Sequence, residues 1–444
     1  MAVSGLRGST SFGADASLAR RPENWREMIL SLYPNGQAPL TALTSLMKSQ
    51  STDDPIYHWF EKEMPTQSIT VTGVFSSATG AGTDGSTGIW TAASKSNGAA
   101  VYLQMSAADV TNIKLGHIIT VVATGTGYQD IAKQRFQVLV TATPVANGAL
   151  SYITGSMISA TFTSLASAIY TVGKISGSAY PEGDTSGVSI SYDPSEYSNY
   201  TQIFRNSLEH TRTAKKTRLR TGDQVAQAKK EALELHSIEM EKAFFMNGPK
   251  YVTTGSNNQP LRVTAGIRGF ISTNKWDYRG QTGLGTTFCD TAANALLTYT
   301  WLLEKLEQIF RYGTQEKIGF CGNGFVLGIN KMISVLGSTS VVIGPATMAY
   351  GFKVQELICP FGTLLLKTHP LFNQDAVFRN DCVVLDTEYL IYRYVDDTKY
   401  KPNIQDNDLD GEKSEYLTEC GLEVHFEKAH GVLNGFGIAP VSNT

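Results

Sequence analysis

Asp223-Gln224-Val225-Ala226-Gln227-Ala228-Lys229-Lys230-Glu231-Ala232-Leu233-Glu234-Leu235-His236-Ser237-Ile238-Glu239-Met240-Glu241-Lys242-Ala243-Phe244-Phe245-Met246-Asn247-Gly248-Pro249 is the strongest helical stretch of the chain. Val225, Ala228, Ala232, Leu235 and Ile238 follow a spacing of three to four residues, which places them on one helical face. Asp223 supplies an N-cap oxygen, and Gly248-Pro249 ends the run. At 1.5 Å per residue the helix spans about 37 Å, a length that suits a spine better than a small core.

The chain on either side of this helix changes character several times. Residues 1–64 read as an N-terminal arm. It carries one helical stripe at Trp25, Ile29, Leu32 and Tyr33, and a second at Leu40, Leu43, Leu46 and Met47. Such short helices are marginal alone and must bury their stripes on a neighbouring copy or on the chain's own body. Residues 65–205 read as an extended loop, with a small β domain of about five strands inserted at about 77–172. Its strand candidates are Ala100–Met105, His117–Ala123, Phe136–Ala142 and Leu150–Thr154, with Asn147-Gly148 as a hairpin turn. The strand Ile69–Phe75 and the ribbon Tyr170–Phe204 flank the insertion and are expected to pair outside it; Tyr180-Pro181-Glu182-Gly183 marks a turn in the ribbon.

Beyond the helix, Arg262–Ser272 reads as strand and loop. A second helix is expected near Thr298–Tyr312, with Leu302, Leu306, Ile309 and Phe310 inward and Gly313 as its stop. Then come strands Lys317–Phe320 and Phe325–Ile329, and a short helix Lys331–Leu336. The last hundred residues are mostly strand, at Phe352–Ile358, Thr363–Thr368, Cys382–Leu385, Tyr389–Tyr394 and Leu422–Phe426. Helices and strands segregate instead of alternating regularly, so the fold class is α+β and not a doubly wound sheet.

Composition narrows function. The chain has 444 residues, 17% of them charged, against roughly 25% in an average soluble protein. Small polar residues make up the difference, which suits broad contacts with other proteins. With 37 basic and 40 acidic residues the net charge is −3, which argues against a dedicated nucleic-acid binder, since neutralising phosphates needs a clustered basic excess. Cys289, Cys321, Cys359, Cys382 and Cys420 are scattered without a CxxC pair; they read as free thiols of a chain made in a reducing cytoplasm. No stretch reaches the roughly 18 apolar residues needed to span a bilayer, and the N-terminus has no signal-peptide core.

Most chemical motifs dissolve on inspection. Gly322-Asn323-Gly324-Phe325-Val326-Leu327-Gly328 resembles a dinucleotide loop, but such a loop opens a helix, and here the run reads as a turn into a strand. Asp406-Asn407-Asp408-Leu409-Asp410-Gly411 copies the first half of a calcium loop, yet Leu417 stands where the closing carboxylate belongs. His425 and His430 are the only near pair of histidines and lack a third ligand. No GxSxG, Walker or HExxH motif is present. No catalytic, cofactor-binding or metal-ligating residue is assigned, and the chain is not read as an enzyme. The basic run Arg205, Arg212, Lys215, Lys216, Arg218 and Arg220 faces acids of a neighbour, packaged DNA or solvent; the acid-rich stretch from Asp381 to Glu423 offers a counterpart on an identical copy.

Several phrases, in order, resemble the tailed-phage major head proteins with the Hong Kong 97-type capsid fold. They are Asn199-Tyr200-Thr201-Gln202-Ile203-Phe204, Glu239-Met240-Glu241-Lys242-Ala243, Asn247-Gly248, Gly266-Ile267-Arg268-Gly269-Phe270-Ile271, Pro360-Phe361-Gly362-Thr363-Leu364, Cys420-Gly421-Leu422-Glu423-Val424 and Lys428-Ala429-His430-Gly431. The resemblance runs from about Asn199 to the C-terminus. It implies an arm (1–64), an extended loop (65–205) bearing the inserted β domain, a peripheral domain (206–289) with spine helix 223–247, an axial domain (290–380) and peripheral return strands (381–444). It further implies self-assembly into pentamers and hexamers of an icosahedral shell around phage dsDNA, held without sequence-specific contacts, and expansion of a precursor shell. Portal and separate scaffolding proteins are implied partners, decoration proteins further candidates, and the virion capsid, assembled in the host cytoplasm, the location. Two rivals share parts of this pattern: an encapsulin-like nanocompartment shell, and a tail or baseplate structural protein. A hydrolase or glycan-binding protein with its site in the β domain is a third, without a residue set to support it.

Overall fold

The computed structural model describes residues 43, 46–64, 67–75, 78, 97–123, 135–148, 151–160, 170–184, 187, 189–217, 222–277, 299–336, 347–349, 352–376 and 378–435. The arm stripe around Trp25–Tyr33, Leu40, Arg218, Arg220 and Cys289 lie outside these residues. In chain order, β1 (Lys48–Ser51) and β2 (Ile56–Glu61) are followed by β3 (Ser68–Phe75), β4 (Ala100–Met105), β5 (His117–Ala123), β6 (Arg135–Val140), β7 (Ser151–Ala160) and β8 (Tyr170–Ser178). Then come β9 (Ser195–Tyr200), β10 (Gln202–Thr211), helix Gln224–Met246, β11 (Tyr251–Thr254), β12 (Pro260–Val263) and β13 (Lys275–Asp277). Helix Tyr299–Phe310, β14 (Glu316–Cys321), helix Asn323–Leu336, β15 (Thr347–Ala349), β16 (Phe352–Cys359) and β17 (Gly362–Thr368) lead to β18 (Cys382–Leu385), β19 (Leu390–Lys401), β20 (Gly411–Val424) and β21 (Gly431–Asn434).

Two compact units result, one from residues 1–61 and 196–444, the other from 62–195. The second unit is a closed barrel of strand order β3-β4-β7-β6-β5-β8. Alternation in β6, Arg135-Phe136-Gln137-Val138-Leu139-Val140, buries Phe136, Val138 and Val140, as a half-buried strand requires. Closure corrects the expected layout: Ile69–Phe75 and the first part of the Tyr170–Phe204 ribbon are barrel walls, so the sheet has six strands and not five. The reason is register. Ser68–Thr70 pairs with Val172–Lys174 on one side, and Val71–Phe75 pairs with Tyr102–Met105 on the other. Between β6 and β7, Gly148 takes φ +56, a left-handed turn position as Asn147-Gly148 predicts.

The first unit holds a four-stranded sheet, β1-β19-β20-β10, a seven-stranded mixed sheet, β13-β21-β18-β14-β17-β16-β15, and two ribbons, β11-β12 and β2-β9. The long helix starts where the sequence places it: Asp223 Oδ1 accepts from Val225 N at 2.9 Å. Its buried face differs from the expected stripe. Ala232, His236, Met240, Ala243, Phe244 and Phe245 are buried, whereas Leu235 is 56% exposed. His236 turns inward because both ring nitrogens find partners, Asn206 Oδ1 and Thr418 Oγ1, each at 2.7 Å. Burial lowers its imidazole from the ordinary value.

Residues 325–329 correct the reading more sharply. They are not a strand but the start of helix Asn323–Leu336, which absorbs the separate helix expected at Lys331–Leu336. Phe325 and Ile329, four residues apart, are buried among Leu302, Leu306 and Ile309 of helix Tyr299–Phe310. Arg262–Ser272 also divides differently, into β12 and a single helical turn, Ile267–Phe270. The last strand before His425 is longer than expected: β20 runs fourteen residues from Gly411.

Candidate assembly surfaces and the contacts that position them

The described residues of the arm's second stripe pack on the chain's own body, Leu43 and Met47 buried and Leu46 partly so. Leu43 and Met47 join the core that includes Phe244, Phe245 and Phe372. Leu43 N–H donates to Glu241 Oε1 at 2.7 Å, and His369 Nε2 lies 3.2 Å from the same oxygen. Nδ1 of His369 accepts from Leu371 N at 3.2 Å, so Nε2 is the protonated nitrogen that donates to the carboxylate. Thus one fully buried glutamate on the long helix fixes the arm and the turn at His369 together. From there β1 runs parallel to β19, Lys48 opposite Ile391.

Three further polar clusters hold the sheets in register. Asn199 Nδ2 donates to Thr264 Oγ1, Ala265 O and Leu422 O, while its Oδ1 accepts from Tyr200 N and Ala265 N. Arg268 Nη2 donates to Asp381 Oδ2 at 2.9 Å, and Asp381 Oδ1 accepts from Gly435 N at 2.8 Å. Lys317, fully buried, donates to Tyr312 O and Ala429 O and lies 3.8 Å from Asp386 Oδ2. Burial pulls its ammonium down to about 8, against the pull of Asp386 in the other direction.

His425 and His430, the near pair, form part of this framework. His430 Nδ1 accepts from Asp386 N at 3.2 Å and Nε2 donates to His425 O at 3.1 Å. Both nitrogens are used as a neutral imidazole uses them, and burial takes the ring down to about 4. His425 points elsewhere, 2.6 Å from Glu423 Oε1.

Three members of the basic run meet acids of the same chain. Arg205 meets Glu415 at 3.1 Å, Arg212 meets Asp410 at 2.9 Å, and Lys215 reaches Glu412. The β10–β20 register, with Arg205 opposite Leu417 and Thr211 opposite Gly411, creates these pairings. The Arg212–Asp410 and Lys215–Glu412 pairs are largely exposed and each contributes little, whereas Glu415 is buried. Asp381 and Asp386, at the start of the acid-rich stretch, are likewise engaged by Arg268 and Lys317 of the same chain.

The two motif-like segments have structural roles. Strand β14, Gly322-Asn323-Gly324 and a helix do occur in the order of a phosphate loop. However, a Cβ on Gly322 would lie 2.2 Å from Arg379 O, and one on Gly324 would lie 2.1 Å from Asn380 Oδ1. Asn323 N donates to Asn373 Oδ1. Chain packs where a phosphate would sit. The Asp406–Gly411 loop links β19 to β20, and its Asp410 is taken by Arg212. Among the described residues no group of three or more His, Cys, Asp or Glu side chains is placed to hold a metal ion, and no helix is long and apolar enough to cross a membrane.

What stays open is apolar. Phe60 on β2 is 67% exposed, Tyr251 on β11 60%, Leu261 on β12 49%, and Leu235 on the long helix 56%. Both strands of the β11–β12 ribbon are half-buried at best. Of these residues the sequence singles out Leu235 alone, as a member of the stripe on one helical face. Large apolar side chains left in water on a ribbon and a long helix define a chain built to be covered by other protein.

Comparison with known proteins gives that class its family. The sequence matches the SU10 major capsid protein family over residues 7–437, nearly its whole length, and the chain belongs to that family. It is a phage major capsid protein, a structural component of the virion shell and not an enzyme. The major capsid protein of Pseudomonas phage PaMx41 is 24% identical over 373 residues, 83% of this chain and 77% of that protein. Among solved structures, the capsid of Myoviridae phage XM1 aligns with 98% of this chain and 100% of its own at 8% identity and a TM-score of 0.40. The capsid of a native GTA particle aligns with 96% and 99%, at 9% identity and a TM-score of 0.42. The SrpI encapsulin of Synechococcus elongatus PCC 7942 aligns with 58% and 79%, at 10% identity and a TM-score of 0.37. These three likenesses are too distant to carry the assignment, which rests on the sequence match.

Proposed function

We propose that the chain builds a closed icosahedral shell of pentamers and hexamers around phage dsDNA, with the Hong Kong 97-type division of labour. In this reading residues 1–64 are the arm, 65–205 the extended loop and its inserted β domain, 206–289 and 381–444 the peripheral domain, and 290–380 the axial domain. Portal, scaffolding and decoration proteins are its partners, and assembly takes place in the host cytoplasm. The observation that carries it is the unpartnered apolar surface at Phe60, Tyr251, Leu261 and Leu235. Four elements, β2, β11, β12 and the long helix, present it, so that each copy offers several modest contacts that add through multivalency. DNA is enclosed and not gripped, in keeping with a net charge of −3 and with Arg205, Arg212 and Lys215 paired to acids of their own chain.

Overexpression followed by cryo-electron microscopy of the purified particles tests this. Closed shells with five- and six-fold capsomers, in which Phe60 and Leu235 lie under neighbouring copies, are expected. Open tubes or rings would move the chain to a tail or baseplate role. Phage-derived shells holding an enzyme cargo in place of DNA would make it a nanocompartment.

A further inference from the structure

Two thiols face each other across a central ladder of the seven-stranded sheet. Strands β14 and β18 run antiparallel with Cys321 opposite Cys382. One pair further on, Gly322 N donates to Asp381 O at 3.2 Å. The 321–382 pair therefore falls at a non-hydrogen-bonded position, where the Cα atoms of an antiparallel ladder approach most closely, to about 4.5 Å. That separation lies within the roughly 4.4–6.8 Å window of disulfides.

The side chains agree with the backbone. Both cysteines are fully buried in one apolar cluster, on the same side of the sheet. Cys321 Sγ donates to Lys367 O at 3.6 Å, and burial, then Cys321 beside it, raises the Cys382 thiol above the ordinary thiol value. Gly319 leaves the sulfur its room, since a Cβ there would stand 3.2 Å from Cys382 Sγ. The other described cysteines are placed differently: Cys420 Sγ lies 4.0 Å from Met240 Sδ, and Cys359 Sγ lies 4.0 Å from Leu357 O.

We propose that Cys321 and Cys382 form an oxidisable dithiol that closes into a cross-strand disulfide when the folded chain meets a small-molecule disulfide such as oxidised glutathione. The first cysteine, as thiolate, attacks one sulfur of the reagent, expels one small thiol and becomes a mixed disulfide. The second, as thiolate, attacks the protein sulfur and expels the second small thiol. Two cysteine S–H bonds and the reagent's S–S bond are lost; one protein S–S bond and two small thiols form. The cysteines lose two electrons and the reagent gains them. Because exchange needs a thiolate and access, burial makes the step slow and ties it to opening of the β14–β18 ladder. A reducing cytoplasm keeps the pair open, and the medium outside the cell closes it. The link would join residues 61 apart (382 − 321), a loop whose closure disfavours the unfolded chain by up to about a thousandfold.

The test uses purified full-length protein incubated at pH 8.5 with oxidised glutathione or with dithiothreitol. It is then unfolded in N-ethylmaleimide, weighed intact and digested for peptide mapping. Of five cysteines, the oxidised sample should leave three alkylatable and give a peptide linked through Cys321 and Cys382. Dithiothreitol should reverse this. Amide exchange in β14 and β18 should slow by up to about a thousandfold. Cys359→Ser should keep the link and Cys382→Ala should abolish it. Alkylation of all five cysteines after oxidation, a stable glutathione adduct, or a link through another cysteine would overturn the proposal. The wild-type peptide map decides this even if Cys382→Ala fails to fold.

Discussion

The barrel and the sheeted body solve the same problem with different materials. The barrel core is mostly aliphatic: Ile69, Val71, Val101, Leu103, Ile119, Val121, Val138 and Ile153 are all buried, with Phe75 and Phe136 as buried rings among the described residues. The body buries ions among its aromatics: Glu241, Lys317, Asp381 and Asp386 are each 1% exposed or less. The barrel pairs strands that alternate in one stretch of sequence. The body pairs Gln202–Thr211 with Gly411–Cys420, two hundred residues away. Apolar burial is non-directional and tolerates adjustment. A buried ion accepts one partner geometry and penalises its loss. Closure also removes the barrel's edges, whereas β1, β10, β13 and β15 end their sheets. A chain that must hold one shape while neighbours press on it gains more from the second material.

The sharpest way to break this contrast is Arg268→Ala. Asp381 would keep only the Gly435 N–H and remain a buried charge without its cation. A loss of about 3–5 kcal/mol is expected in urea unfolding followed by near-ultraviolet circular dichroism, confined to the body's transition. An equal loss in the barrel's transition would mean that the two units do not unfold separately.

A pH series sharpens it next. His430 is held near 4 in the folded chain by burial, against about 6.5 when unfolded. Its folded value is depressed, so the unfolded chain binds more protons between those limits. Stability is full above about 6.5 and falls as pH drops towards 4, by about 3 kcal/mol. His430→Gln, which offers both an acceptor for Asp386 N and a donor for His425 O, should flatten that slope. The barrel unit has one histidine, His117, lowered first by burial and then by Lys114, and should soften independently of the substitution. An unchanged slope in His430→Gln would remove His430 from the explanation.

The smallest effect belongs to the surface. Arg212 and Asp410 are 71% and 70% exposed, and Arg212→Ala should shift the midpoint by no more than about 0.5 kcal/mol. A larger shift, or a change in particle yield, would show that a neighbouring copy uses Arg212.

Legibility in the sequence followed the range of the forces. The long helix was readable at both ends because its cap, Asp223, and its stop, Gly248-Pro249, are local. Helix Asn323–Leu336 was not, because Phe325–Ile329 is a short apolar run whose periodicity does not separate a strand from a buried helix, and Gly324 and Gly328 suggested turns. Gly322 and Gly324 are in fact required by the passage of Arg379 and Asn380 against the helix start. The hydrogen-bonded pair 241–369 and the ion pairs 268–381 and 317–386 were invisible because only the tertiary fold brings them together. Leu235 misled in the opposite sense, an apolar residue on the predicted inward face that the fold leaves in water.

One consequence of the β2–β9 ribbon reaches beyond the shell itself. Thr201 N donates to Pro55 O, and His58 Nδ1 lies 2.6 Å from Glu196 Oε1, so the two strands run in opposite directions and residues 61 and 195 end side by side. The polypeptide leaves for the barrel and returns through one doorway. Whatever is spliced between those two points, shorter, longer or foreign, need only have termini a strand's width apart, and every pairing elsewhere in the body keeps its register.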